Sequence, residues 1–347
     1  MPFPDAGTGS SAPTTGGSRG SGSAGGPGGS SGSGGVLVEG GAGNEPDAGL
    51  GELPIVRVDD LEPCGVLEPV SIGEEARGDA AIALDEDNVY YVGLRGVSTV
   101  PKDGGEARVL GPADDTRQVA VDEENVYFGG RSFWSVPKAG GDANLLLDGQ
   151  VVGAVGKDDH VYFTNWGLTP TSLQTWSASG GFEMVDRFAA QLWVPQVVAD
   201  DTYVYIAPGA TTPALDVERV RMSDGVVEKL TSVDTLRGIA VGGGNLYLSE
   251  EATHSVKVVD LDDLTTETVL RFADYPTGLA ADDGHVYLNL QAILPGGTKY
   301  HGHLIRFDAS GENACELSTS IEYGPSVTLD DSAVYWIGER HLWKAAK

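Results

Sequence analysis

Two histidines that lie two residues apart are the side chains of this sequence best suited to metal chemistry. The segment KYHGH spans residues 299–303 and contains His301 and His303. On a β-strand, residues two apart face the same side, so both imidazoles could reach one metal ion. The sequence nominates no third ligand, and a polar loop end without a metal is the favoured alternative. His301 and His303 are therefore weak candidates for metal ligands.

Aspartates recur five residues before a tyrosine, and their position suits turns better than calcium. An aspartate side chain caps a turn by accepting hydrogen bonds from the backbone. Calcium in every repeat is not favoured, because Lys157 and Gly242 stand at the same position in two repeats. His160 and His285 lie in the same turns and are predicted to be turn residues. The recurring aspartates are Asp85, Asp122, Asp200, Asp282 and Asp330.

Seven tyrosines anchor a repeat that organises most of the chain. Their separations are 37, 35, 43, 42, 40 and 48 residues, close to the roughly 40–45-residue period of four-stranded propeller blades. Short runs rich in Val, Tyr, Phe and Trp, broken by Gly, Asp and Asn, indicate antiparallel strands, and no segment shows a sustained helical period. The sequence therefore predicts an all-β fold, a seven-bladed β-propeller. The anchors are Tyr90, Tyr127, Tyr162, Tyr205, Tyr247, Tyr287 and Tyr335.

The last repeat contains only three predicted strands before the sequence ends at Lys347. We expect residues 66–72 to supply the fourth strand and so to close the last blade, because an unpaired edge invites mispairing. Pro69 is tolerable there, since an outermost strand has one unpaired side.

The two cysteines lie on either side of this predicted closure. Cys64 precedes the closing strand, and Cys315 lies in the predicted outer strand of the sixth blade. A disulfide between them is predicted for an oxidising compartment. Two inert buried thiols are the alternative, because outer strands of adjacent blades splay apart.

Composition divides the chain into a tether and one domain. Residues 1–50 hold 17 of the 50 glycines and are predicted to be a disordered Gly/Ser-rich tether, while residues 51–347 form the propeller. The net charge is −29, of which −26 falls in residues 51–347. Such an acidic domain disfavours nucleic acid and anionic membrane surfaces as partners. No stretch approaches the roughly 18 apolar residues of a membrane span, and the first residues lack the pattern of a signal peptide.

One face of the predicted propeller carries the variable loops and is the expected recognition surface. It collects the connections between second and third strands and from each fourth strand to the next blade; we call it the loop face. Its loops vary most at 165–174, 207–216, 249–254 and 290–303, and variable loops on a rigid scaffold usually carry recognition.

Arginine and tryptophan are typical of binding hot spots, and both occur on this face. One hypothesis is a less acidic pocket for a carboxylate-bearing ligand or an acidic protein segment. The favoured alternative is that the arginines neutralise neighbouring carboxylates. The predicted ligand-face residues are Arg95, Arg117, Arg131, Asn165, Trp166, Trp193, Arg237, Glu250, Asn289 and Arg340.

The phrases VYFTN, VYWIG and TVPKDGG resemble repeats of YWTD-type propellers and of secreted or lipoprotein-type bacterial propeller proteins. The likeness covers residues 66–347, and it implies a propeller fold and an extracytoplasmic location. Related propellers include enzymes similar to gluconolactonases and to streptogramin lyases. Gluconolactonase-like enzymes hold a divalent metal with carboxylates and an amide around the central channel. The positions expected at the channel mouth of this chain include no acidic residue: Ala80, Arg117, Val152, Pro195, Arg237, Thr277 and Pro325.

These observations lead to an expected function. We expect an extracytoplasmic propeller, secreted, periplasmic or surface-tethered, that binds a protein or glycan partner through its loop face as a monomer, without catalysis or cofactor. No catalytic residue is assigned, since no nucleophile elbow and no matching His–Glu pair is found. The alternative is a hydrolase or lyase of gluconolactonase or streptogramin-lyase type with a divalent metal in the central channel. A purely structural surface protein is a third interpretation.

Overall fold

The computed structural model describes residues 53–65, 68–78, 80–112, 115–166, 172–187, 196–207, 215–293, 300–321 and 327–347. The predicted tether lies outside these residues, as do parts of three variable loops. Apart from one 3₁₀ turn at Val58–Asp60, the regular structure of the described residues consists of strands. Within them no helix is long and apolar enough to cross a membrane.

Seven antiparallel sheets follow one another along the chain, which confirms the seven-bladed propeller. Blade 1 contains β3 (Ile82–Leu84), β4 (Asn88–Val92), β5 (Val97–Pro101) and β6 (Arg108–Gly111). Blade 2 contains β7 (Gln118–Val121), β8 (Asn125–Gly129), β9 (Phe133–Pro137) and β10 (Asn144–Leu147). Blade 3 contains β11 (Gln150–Lys157), β12 (His160–Trp166), β13 (Ser172–Ser177) and β14 (Gly181–Arg187). Blade 4 contains β15 (Gln196–Ala199), β16 (Tyr203–Ala207), β17 (Leu215–Arg221) and β18 (Val227–Val233).

The remaining blades have the same order of strands. Blade 5 contains β19 (Leu236–Gly242), β20 (Asn245–Glu250), β21 (Ser255–Asp260) and β22 (Thr266–Phe272), with β1 (Ile55–Val56) added at its edge. Blade 6 contains β23 (Tyr275–Ala281), β24 (His285–Ile293), β25 (Tyr300–Asp308) and β26 (Cys315–Ile321). Blade 7 contains β27 (Val327–Leu329), β28 (Ala333–Gly338), β29 (His341–Ala346) and β2 (Val70–Glu74).

The closing strand β2 starts later than the sequence predicts. It comprises Val70–Glu74 and pairs antiparallel with β29, whereas the prediction placed it at residues 66–72. Pro69 directly precedes it, and because proline has no backbone N–H, the regular pairing starts after that residue. The prediction that a segment ahead of the first blade supplies the fourth strand of the last blade agrees with this pairing, although the strand that does so is not the first one of the domain.

The core lies between the blades, and the repeated Val-Tyr step forms it. Val89, Tyr90 and Tyr91 of β4 are almost fully buried, and the equivalent residues of the other second strands behave alike. Tyr90, for example, packs in one cluster with Val126 and Phe128 of blade 2. A second strand is covered on both faces by neighbouring blades, so both sides of the strand are apolar. This explains why the phrase repeats as a continuous apolar run.

Each recurring aspartate caps its turn, as the sequence predicts. In blade 1, Asp85 Oδ1 accepts hydrogen bonds from the amides of Asp87 and Asn88 at 3.0 and 2.8 Å. Its other oxygen accepts a hydrogen bond from the hydroxyl of Tyr90 at 2.7 Å. The repeated tyrosine therefore joins the apolar core to the turn. The same tyrosine–aspartate pair occurs at Tyr127–Asp122, Tyr205–Asp200 and Tyr335–Asp330.

Lysines connect these aspartates across blade boundaries. Lys138 of blade 2 lies 2.8 Å from the carboxylate of Asp85 in blade 1, and each side chain is only 19% exposed. Burial raises the pKa of Asp85, but hydrogen bonds from Lys138, Tyr90 and the Asn88 amide outweigh burial, so the net pKa is lowered. The lysine of the repeated Val-Pro-Lys phrase thus bonds one blade to the previous one. Equivalent ion pairs are Lys102–Asp330 and Lys347–Asp282.

Residues 53–65 form a strap that the sequence did not reveal. Ile55 and Val56 pair in parallel with the outer strand of blade 5, and Pro63 forms a parallel bridge with Glu316 of blade 6. Val58 is buried in the core between these blades. The strap therefore covers the outer edges of two blades before the chain enters the closing strand.

A disulfide between Cys64 and Cys315 attaches the end of the strap to blade 6, with Cα atoms 4.9 Å apart. The structure therefore has this bond in place of the two unbridged thiols that were the alternative. The reason is that Cys64 pairs directly alongside the outer strand of blade 6, donating its amide to the carbonyl of Glu316 at 2.9 Å.

Candidate functional site

A channel runs between the inner strands of the blades, and its described wall is mainly aliphatic. The cavity has a volume of about 480 Å³ and is lined by residues such as Val119, Val155 and Ile239. The polar side chains of the described wall belong to two glutamines and one threonine: Gln118, Gln196 and Thr328. The described wall therefore offers shape and hydrogen bonds, but no carboxylate, imidazole or amine.

The channel lining is displaced by one or two residues from the positions that the sequence predicts. Val152 lines the cavity, but Ala81 and Gln118 line it in place of Ala80 and Arg117. Neighbouring residues of a strand face opposite sides, so a shift of one residue changes which side chain enters the channel. Of the other predicted positions, Arg237 and Thr277 are not among the lining residues, and Pro195 and Pro325 lie outside the described residues.

This donor set does not fit a divalent metal in the channel. Calcium and magnesium require oxygen ligands that are usually carboxylates, and zinc requires Cys, His or carboxylate ligands. The described wall contains none of these side chains. Nor do the described residues include a group of three or more His, Cys, Asp or Glu side chains arranged for a metal elsewhere in the molecule.

The histidines of the KYHGH segment lie on a strand rather than in a loop. His301 and His303 belong to β25, and their ring centroids are 5.8 Å apart. Nδ1 of His303, however, lies 2.6 Å from Oε1 of Glu316. Glu316 also pairs with the strap through its backbone. His303 is therefore paired with a carboxylate on the neighbouring strand of its own blade, and the described residues include no group of three metal-ligating side chains around the two histidines.

Three predicted arginines of the loop face pair with carboxylates beside them. Arg95 and Arg131 are highly exposed, with 76% and 83% of their side chains accessible. Arg237 is half-buried, and its backbone carbonyl accepts a hydrogen bond from Gln196 at the channel. This arrangement favours the interpretation that the arginines neutralise neighbouring acids. Arg117 and Arg340 are exposed. The pairs are Arg95–Glu75, Arg131–Asp115 and Arg237–Glu251.

Three other predicted ligand-face residues lie beneath the surface. Asn165, Glu250 and Asn289 are only 2%, 2% and 1% exposed. Asn165 and Glu250 stand near the ends of second strands and Asn289 stands in the middle of β24, and adjacent blades enclose all three positions. This corrects their predicted placement on the open surface. Trp166 ends β12, but its side chain lies outside the described residues, as does all of Trp193.

Glu250 is a buried carboxylate with a complete set of partners. It accepts hydrogen bonds from the amide of Asp234 at 2.9 Å and from Thr253 Oγ1 at 2.5 Å, and Lys257 Nζ lies 3.0 Å away. Burial raises the pKa of Glu250, but these bonds outweigh it, and the net pKa is lowered. A carboxylate held ionised in this way orders the loop of blade 5, and it is poorly suited to act as a general acid near neutral pH.

A second cavity, not indicated by the sequence, lies where blade 7 meets blade 1. This seam groove has a volume of about 420 Å³. One side is formed by the closing strand and the other by the outer part of blade 1, and Tyr91 lies at its base with its hydroxyl donating to the carbonyl of Glu74. The groove residues come from distant parts of the repeat, so no local sequence signal could have found it. Its charged lining residues are Glu74, Glu75, Arg95 and Glu106.

Comparisons with known proteins show the fold alone. No family model matches this chain, and no curated protein sequence is significantly similar to it. Virginiamycin B lyase from Staphylococcus aureus has a similar structure, with a TM-score of 0.59 and 11% identity over 81% of this chain and 100% of that chain. The structure of U3-55K has a TM-score of 0.58 and 10% identity over 80% of this chain and 98% of that chain.

A chain of the nidogen/laminin complex is 17% identical over 55% of this chain and 79% of its own length. Its TM-score of 0.45 is too low to support an argument. The resemblance to YWTD-type repeats therefore stays an expectation from sequence, while the propeller fold itself is shown.

Proposed function

We propose that this protein is a non-catalytic propeller scaffold that binds a protein or glycan partner through its loop face. The observation that carries the proposal is the composition of the channel wall, where the described residues provide aliphatic side chains, two amides and one hydroxyl group. General acid–base and metal-assisted reactions need ionisable groups or metal ligands close to the reacting atoms. Such a wall instead supports recognition by shape and by a few hydrogen bonds.

The proposed location is outside the cytoplasm. Its support is the Cys64–Cys315 disulfide, because disulfides persist in oxidising compartments and are rare in the cytosol. Fractionation of the source cells, with an antibody against the protein, tests this proposal. Recovery of the protein in the cytoplasmic fraction with reduced cysteines would contradict it.

The alternative of a metal-dependent hydrolase or lyase has less support. The structural similarity to virginiamycin B lyase concerns the fold, which hosts many unrelated activities. Elemental analysis of the purified full chain, combined with turnover assays on lactones and on virginiamycin B, distinguishes the two functions. A stoichiometric divalent ion together with turnover would overturn the binding proposal.

Binding through the loop face is tested with two matched arginine variants. Arg237 is 38% exposed and pairs with Glu251 on the loop face, while Arg221 is 41% exposed and pairs with Asp224 on the opposite face. The full chain and the two variants Arg237→Glu and Arg221→Glu are applied to glycan and peptide arrays. We expect ligands of the wild-type chain to be lost or weakened with Arg237→Glu and retained with Arg221→Glu. Equal effects of the two variants, or no ligand on either array, would count against a loop-face site.

A further inference from the structure

The outer edges of the blades are covered unequally. The strap adds parallel partners to the outer strands of blades 5 and 6, and the closing strand completes blade 7. The next outer strand around the ring is β6 of blade 1, which ends its sheet without a further described strand. The protein's own strap thus shows that the outer edges of this propeller accept an added extended segment.

The free edge of β6 borders the seam groove. Gly105, Ala107 and Val109 of blade 1 line it opposite Ser71 and Gly73 of the closing strand. Val109 is 46% exposed, and Leu94 at the loop-face end of the groove is 48% exposed. These two aliphatic side chains provide apolar surface for a bound segment. The volume of about 420 Å³ lies within the range of about 300–1,000 Å³ that is usual for ligand sites.

The lining of the seam groove carries an excess of negative charge. Three glutamates line it against one arginine, and Nε of that arginine, Arg95, is bound to Glu75 at 2.6 Å. Among the described residues, no ion pair holds Glu74 or Glu106. Arg108, although it lies on β6, directs its guanidinium to the carbonyls of Lys138 and Ala139 in blade 2. The groove therefore retains negative charge, in a chain whose net charge is already −29.

We propose that the seam groove binds an extended basic segment of a partner protein. The segment adds to the outer edge of β6 as a further strand, and it places a lysine or arginine side chain between Glu74 and Glu106. Strand addition supplies affinity through main-chain hydrogen bonds, and a pocket for alternate side chains supplies specificity. The aliphatic stem of the basic side chain packs against Val109 while its charged end reaches the carboxylates. The site is separate from the channel mouth and does not depend on the proposed function of the loop face.

The test measures binding of labelled pentapeptides to the full chain by fluorescence anisotropy at low salt. The probes are VTKTV, VTETV and a VTKTV whose backbone is N-methylated, all with blocked ends. We expect VTKTV to bind about tenfold more tightly than VTETV, because exposed ion pairs are each worth a modest amount and two glutamates contribute. N-methylation should weaken binding further, since it removes main-chain donors. Equal affinities for VTKTV and VTETV, or no binding of VTKTV at millimolar concentration, would overturn the proposal, and unchanged binding of the N-methylated probe would overturn strand addition.

Variants identify the site. The double substitution Glu74→Lys and Glu106→Lys should reverse the preference, so that VTETV binds more tightly than VTKTV. Glu267→Lys makes the same kind of charge change on an exposed residue of blade 5 and should leave the preference intact. All three glutamates are exposed, so folding is expected to survive, and Glu74→Gln with Glu106→Gln provides a milder second variant. The same reversal of preference with Glu267→Lys would overturn the assignment of the site. Self-association of the full chain would also overturn the proposal if the double variant abolished it, because the seam groove would then bind a second copy of this chain. Arg237→Glu should leave peptide binding unchanged, which separates this test from that of the loop face.

Discussion

Removing the disulfide by Cys64→Ser and Cys315→Ser should destabilise the propeller by about 5 kcal/mol. The two cysteines are 251 residues apart in sequence, so the bond constrains almost the whole unfolded domain. The chain-entropy relation for a loop of this length gives about 5 kcal/mol at 25 °C, the upper end of what disulfides contribute. The folded ring keeps its closing strand in the variant, because that pairing is with β29 of blade 7 and does not involve either cysteine. The expected loss of stability therefore comes from the unfolded chain, which gains conformational entropy when the bond is removed.

Differential scanning calorimetry measures this loss directly. The unfolding entropy is about 2.1 cal/mol/K per residue, so the domain from Gly51 to Lys347 has roughly 0.6 kcal/mol/K. A loss of about 5 kcal/mol then lowers the Tm by about 8 °C. The variant should retain the β-rich circular dichroism spectrum of the wild type. A reducing agent should shift the Tm of the wild type towards that of the variant and should leave the variant unchanged.

Two results would refute this reasoning. A Tm difference below about 2 °C would mean that the disulfide does not constrain the unfolded chain, for example because the strap and closing strand already hold the ends together in the denatured ensemble. A reductant effect of equal size in the Ser variant would mean that the shift does not arise from this bond.

Two further changes test the contacts between blades. Lys138→Met removes the ion pair with Asp85 and should cost about 1–3 kcal/mol in urea unfolding at pH 7. Because the folded pKa of Asp85 is lowered, its stabilisation is full above the unfolded pKa of about 3.9 and is lost as pH falls through the folded pKa. Lys138→Met should therefore reduce the difference between the free energies of unfolding at pH 7 and pH 3. An unchanged difference would argue against stabilisation of the fold by the Lys138–Asp85 ion pair. Gly156→Ala should destabilise strongly, since its added Cβ would lie 1.8 Å from the carbonyl oxygen of Val121 in blade 2. Gly149→Ala, whose nearest contact is 3.6 Å, is the control, and equal Tm values for the two would refute the close approach of the inner strands.

The blades and their turns could be predicted from the sequence because their contacts are local. Asp85 and Tyr90 are five residues apart, and their pairing recurs with the repeat, so the pattern is visible without a structure. The missing strand of blade 7 was predictable by the same logic, since six complete units define what the seventh lacks. Its start at Val70 rather than residue 66 was less predictable, because the extent of pairing depends on the partner strand β29, whose register with β2 begins at Val70.

The features of the candidate sites arise between distant segments, and the sequence did not reveal them. Whether Ala81 or Ala80 faces the channel depends on a strand register that differs by one residue, and no composition signal records it. Asn165 and Asn289 looked exposed as strand-end residues, yet adjacent blades bury them.

The sequence by itself determined the repeat, the number of blades and the turn chemistry, since each depends on residues within about 40 positions of one another. Only the tertiary structure decided the path of the strap, the Lys138–Asp85 type of contact between blades and the seam groove. The physical reason is that the ring brings separate blades and distant segments of the chain into contact, and the surfaces created there belong to no single repeat.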